Sequence, residues 1–141
     1  EPWDSEHNKQ LIARMPDIFA NSNSLLDRSE GKSNYVAPVG EGLVFDGTKT
    51  GAGMRNITDG TSNTIALLEV SDEQAVIWTK PDDWKYDAED PMKGLGGVRP
   101  GGFLAGFCDG HVRMISDSID AEVLKALFTK AGSEVINHED F

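Results

Sequence analysis

Cysteine is almost missing: Cys108 is the only one among 141 residues, so the chain closes no internal disulfide and carries no cysteine metal cluster. Histidine is scarce as well. His7, His111 and His138 are the three present, and two lie close to the ends, which leaves only His111 placed to serve as a base for a serine nucleophile. No apolar run approaches the roughly 20 residues that span a bilayer. The opening Glu1-Pro2-Trp3-Asp4 is neither an initiator sequence nor a signal peptide, so any anchor or export signal is expected upstream of it. Basic residues are outnumbered, 13 against 24 acids, for a formal charge of -11. Such a surface repels phosphate backbones and anionic headgroups, which argues against a nucleic-acid partner.

What is present suits one folded domain over residues 1–141. The hydrophobic share of 38% is that of a globular protein, and 15 glycines point to many turns. Asp4 to Met15 reads as a short helix, capped by Asp4 or Ser5, with Leu11, Ile12 and Met15 at helical spacing and an end near Pro16. Ala20 to Lys32 is rich in turn formers and is expected to be an exposed loop. Tyr35–Val39 and Leu43–Phe45 suggest a pair of short strands or a wide hairpin around Gly40-Glu41-Gly42. Ile65–Val70 and Ala75–Trp78 suggest a second pair, with Trp78 packed on the core, before a surface loop from Lys80 to about Gly97.

The clearest hairpin joins Phe103–Phe107 to Val112–Ile115 through Asp109-Gly110, two residues that tolerate positive φ. A helix then opens with Asp120 as its cap and Ile119 against Leu124. Val123, Leu124, Leu127, Phe128 and Ala131 share one face, and Gly132 stands at the stop. Glu134–Ile136 could add an edge strand, and Asn137–Phe141 should fray. The expected class is α+β: an antiparallel sheet with short helices and long loops.

Several clusters invite a functional reading. Asp59-Gly60-Thr61-Ser62-Asn63-Thr64 gathers carboxylate, amide and hydroxyl groups that stitch turns, so its expected role is structural, with a calcium or other ligand contact as the alternative. No catalytic residue is expected: Ser62 lacks a neighbouring base, and His111 at a strand start suits a solvent-facing or cross-strand role. Cys108 reads as a small buried hydrophobe. Asp82 to Asp90 collects hard oxygen ligands without the spacing of an EF-hand; Asp87 and Asp90 are the first candidates for calcium, against a solvated acidic loop. Trp3, Trp78, Trp84 and Tyr86 could form an aromatic platform for a sugar or partner, with Trp84 and Tyr86 as its candidate ligand-binding residues. Gly94–Gly102 lacks the strand-then-helix setting of a nucleotide loop.

Two segments carry a resemblance: Ile57 to Ile65 with Glu69, and Gly101-Gly102-Phe103 through Phe107-Cys108-Asp109-Gly110-His111 to Ile115. With Glu1 to Lys9 and Trp78-Thr79-Lys80-Pro81, they resemble the prepilin-type-processing-associated family, a domain of unknown function (DUF 1559) named for a histidine, nine residues and an Asp-Gly. At the histidine position this chain has Arg99, followed by a matching Pro100-Gly101-Gly102. An arginine donates hydrogen bonds but neither titrates near neutrality nor ligates a metal, so no such role follows for that position. The resemblance implies a pilin-like fold, with an upstream hydrophobic helix laid on an antiparallel sheet. It also implies an extracytoplasmic place in the cell envelope, and a structural role in assembly with like subunits or other pilus and secretion components. On that reading Asp59, Gly60, Thr61, Ser62, Asn63, Thr64, Arg99, Pro100, Gly101, Gly102, Asp109 and Gly110 fix the fold. No cofactor is required, calcium being the one ion to test. The alternative is an extracytoplasmic calcium- or carbohydrate-binding module.

Overall fold

The computed structural model describes residues 1–48, 50–133 and 141. Its elements run α1 (Glu6–Ile12), β1 (Lys32–Ser33), β2 (Tyr35–Val36), β3 (Pro38–Val39), β4 (Ile65–Glu69), β5 (Val76–Ile77), β6 (Trp84–Lys85), β7 (Gly102–Phe107), β8 (Val112–Ser116) and α2 (Ala121–Phe128). The protein is an α+β domain. Its main sheet is antiparallel in the order β2-β4-β7-β8, and two short ladders, β1-β5 and the parallel β3-β6, flank it.

Period-two alternation sorts the sheet into two faces. Val36, Leu68, Phe103, Ala105, Phe107 and Ile115 point inward and are buried, and α2 closes the core with Leu124, Leu127 and Phe128. As expected, Asp120 caps α2 by accepting from the backbone N–H groups of Glu122 and Val123, and Ile119 packs at the core's edge. The helix ends at Thr129, before Ala131 and Gly132, because Thr58 and Asp59 take Lys130's carbonyl as an acceptor and draw the chain away.

The hairpin forms as the Asp-Gly pair predicts, with a difference in detail. Gly110 alone carries the positive φ, 92°, in a three-residue loop closed by Gly110 N–H to Phe107 O and Phe107 N–H to His111 O, both 2.9 Å. Asp109 contributes its carboxylate, which accepts from the His111 N–H at 3.1 Å.

The other two expected local strand pairs are replaced by long-range ones. Gly40-Glu41-Gly42 does turn the chain, but β2 pairs with β4 and β3 runs beside β6, leaving one bridge between Val39 and Phe45. Pairing of Val36 with Leu68 and of Pro38 with Trp84 places Val36 in a core that a local hairpin could not enclose. Likewise β4 lies between β2 and β7, while β5 pairs with β1, because Asp72 is held by Ser24, Leu25 and Asn34 and steers the chain aside after β4.

The Lys80–Gly97 segment is not wholly a surface loop. Trp84 is 4% exposed, its indole N–H donates to Lys93 O at 3.0 Å, and its ring lies 5.5 Å from that of Phe128. Trp78, expected in the core, is only half-buried: it stacks on Phe19 at 5.8 Å and donates to Leu11 and Ile12 carbonyls at 3.3 and 3.1 Å, ending α1 short of Met15. Gly31 makes that docking possible, since a Cβ there would lie 2.1 Å from Ile12 O. The strand expected at Glu134–Ile136, and His138, lie outside the described residues. Phe141, expected to fray, packs at 6.0 Å from the Phe107 ring and 4.4 Å from the Arg113 guanidinium.

Candidate functional site

The residues singled out by motif gather at two places. The first is on the outer face of the main sheet, at the end of β4. Glu69 is 1% exposed, and a carboxylate so placed needs partners for its charge. Arg99 supplies two: Nε to Oε2 at 2.6 Å and Nη2 to Oε1 at 2.7 Å. Leu104 N–H donates to Oε2 at 3.1 Å and Asn21 Nδ2 donates to Oε1. Burial pushes the Glu69 carboxyl up, but these hydrogen bonds and the Arg99 charge outweigh it and hold it below the usual glutamate range. The Arg99-Pro100-Gly101-Gly102 motif is the device that delivers the guanidinium. Pro100 and Gly101, at φ 81°, have the signature of a type II turn, and a bridge from Arg99 to Gly102 starts β7.

The arginine makes this pair insensitive to pH near neutrality, which yields a test. In Arg99→His an imidazolium facing Glu69 has its pKa raised above the ordinary value of about 6.5. Its stabilisation is therefore full below that value and lost as pH rises through the raised pKa. Urea unfolding should show the variant about 1–2 kcal/mol less stable at pH 8 than at pH 5, with the parent flat over the same range. A flat variant would mean that the imidazole does not engage Glu69.

The second place joins the Asp59 loop, the hairpin turn and the end of α2. Asp59 Oδ2 accepts from Gly132 N–H at 2.7 Å and Oδ1 from Ser133 N–H at 2.9 Å. Thr64 Oγ1 donates to Gly60 O at 3.1 Å and Asn63 Nδ2 to Asp59 O at 3.1 Å. From the hairpin side, Cys108 N–H donates to Thr64 O at 2.9 Å and Asp109 N–H to Thr61 O at 3.1 Å. Gly60, at φ 97°, makes the turn between them. Among the described residues the Ser62 side chain makes no hydrogen bond at this junction; the backbone and its neighbours do the fastening.

His111 stacks on Phe107 at 4.3 Å, with Nδ1 2.6 Å from Asp109 Oδ1. Cys108 is half-buried, and burial together with the Asp109 charge pushes its thiol up, away from reactive thiolate. In the acidic loop, Asp87 pairs with Lys93 at 3.5 Å and accepts from Glu89 N–H at 3.0 Å, while Asp90 is exposed. Among the described residues no three His, Cys, Asp or Glu side chains converge as a metal site, so Asp87 and Asp90 are not joined by a third such ligand. Trp84 is turned into the core, which removes it from the expected aromatic platform; Tyr86, half-buried, packs at 5.1 Å from the Phe128 ring. Sequence reasoning missed Asn21, Asn34 and Asp72, whose partners lie 48, 36 and 38 residues away, beyond any local signal.

The outer sheet face carries one more feature. Tyr35, Leu67, Leu104, Gly106 and Val112 line a shallow apolar groove of about 300 Å³, with Met114 beside Leu104 in register. Leu67 and Val112 are 53% and 63% exposed. No helix among the described residues is long and apolar enough to cross a membrane.

No curated protein and no solved structure matches the chain. A family model described as a protein of unknown function (DUF1559) matches residues 74–122, a span that runs from β5 through Arg99, β7 and the Asp109-Gly110 turn to the first turn of α2. Over that span, about a third of the chain, the sequence is similar to the DUF1559 family.

Proposed function

We propose that this chain is the exposed head of a pilin-like subunit that works by protein–protein assembly in the cell envelope, with no catalytic residues of its own. The observation that carries the reading is the second face of the main sheet. One face is sealed by α2, whereas the other presents Tyr35, Leu67, Leu104, Val112 and Met114 to solvent. Contiguous apolar surface of this kind marks an interaction site. A hydrophobic helix preceding Glu1 would lie there, and the buried Glu69–Arg99 pair would hold the sheet end beneath it rigid. The two motif clusters support the same reading, since their groups are consumed in fastening loops together rather than aimed at a substrate.

The test is accessibility of that face. In a Cys108→Ser background, Leu67→Cys should react with a maleimide quickly in the chain of residues 1–141. In the full-length protein in its own cells it should be protected by at least about tenfold. Equal labelling in both settings would overturn the assembly reading.

A further inference from the structure

A different face of the molecule has two strand edges opening onto one groove. In the β1-β5 ladder Trp78 N–H donates to Gly31 O at 2.9 Å, so the alternation of antiparallel pairing turns the Ile77 N–H away from β1. In the β3-β6 ladder Trp84 and Tyr86 donate to Ala37 and Val39 carbonyls at 3.1 and 3.0 Å, so the Lys85 N–H and C=O turn away from β3. Between β5 and β6 lies an open cleft of about 750 Å³, walled by Ala75 and Val76 on one side and Trp84 to Tyr86 on the other. A neighbouring cleft of about 230 Å³ shares Val76, Asp82 and Asp83 with it and extends the groove past Ile77.

Charge decides what fits. Lys93 is engaged by Asp87, and Glu73, Asp83 and Glu89 on the same walls outnumber Lys85. We propose that this groove takes an extended peptide segment bearing lysine or arginine, which adds as a strand between β5 and β6. Main-chain hydrogen bonds to Ile77 and Lys85 would give the affinity and the wall carboxylates the preference for positive charge. This site meets the apolar sheet face only at Tyr35, which borders both, and stands whether or not the chain is a pilin-like subunit.

The probe is fluorescein-labelled acetyl-Lys-Val-Lys-Val-Lys-Val-amide, followed by anisotropy against the intact chain. Saturable binding is expected, weakening as salt is raised. Amide exchange at Ile77 and Lys85 should slow by about tenfold or more in the complex. Glu73→Lys with Glu89→Lys, both at exposed positions, should weaken binding about tenfold, and a peptide N-methylated at alternate amides should lose it. Absence of binding at about 1 mM peptide would overturn the proposal. So would an N-methylated peptide that binds as well as its parent, because attraction of charge alone needs no added strand.

Discussion

Replacing Glu69 by alanine is expected to cost about 3–5 kcal/mol of folding stability, a large part of what a domain of this size possesses. The substitution removes the acceptor for the Arg99 guanidinium, the Leu104 N–H and the Asn21 amide at once. Water replaces the lost acceptor poorly, since Glu69 is 1% and Asn21 8% exposed, although the Arg99 side chain keeps 23% exposure. Glu69→Gln separates charge from hydrogen bonding: it keeps an acceptor for Leu104 but leaves Arg99 unneutralised, and should lose less. The pH dependence has a definite sign. A carboxyl held below its ordinary pKa contributes stability that is present above about 4.3 and fades as pH falls through the lower folded value. Glu69→Gln should therefore show a shallower acid limb than the parent in urea melts between pH 5 and pH 2, the remainder coming from other carboxyls held low by hydrogen bonds, such as Asp46 and Asp72. An unchanged limb would place the acid-sensitive group elsewhere.

Gly102→Ala is expected to cost about 3 kcal/mol, measured by the same melts. A Cβ at Gly102 would lie 2.0 Å from the Ile115 carbonyl oxygen and 3.2 Å from the Ser116 Cα. Both are backbone atoms of the paired strand, so no rotamer change relieves the contact, and the β7-β8 ladder must open at Gly102–Ser116. That opening would also shift the turn that carries Arg99. Gly101→Ala is the control. It meets nothing within 4 Å and pays only for φ 81°, so about 1 kcal/mol is expected there. Equal costs at the two positions would show that conformation rather than close approach requires glycine at 102.

These two residues also mark where sequence reading succeeds and where it stops. The β7-β8 hairpin and α2 are legible because their signals are local: Asp109-Gly110 between apolar runs, and Asp120 capping a helix with Leu124, Leu127 and Phe128 on one face. Strands β1, β2, β3, β5 and β6 hold two residues each, too short for a period to register, and their partners are fixed by what the core can enclose. Trp84 was hidden by the acids around it, although its bulk alone is reason enough to bury it beside Phe128. The motif residues were visible as a group, but not their division of labour. Nothing local to Asp59 announces that it holds Gly132 and Ser133, and nothing local to Arg99 announces Glu69, 30 residues earlier.

The central claim is that this domain is carried on an apolar helix that covers its outer sheet face. Intact-mass and N-terminal analysis of the protein purified from the cells that make it tests that claim most directly. A processed, N-methylated hydrophobic helix upstream of Glu1 is the expected result; a soluble mature chain beginning near Glu1 would contradict it.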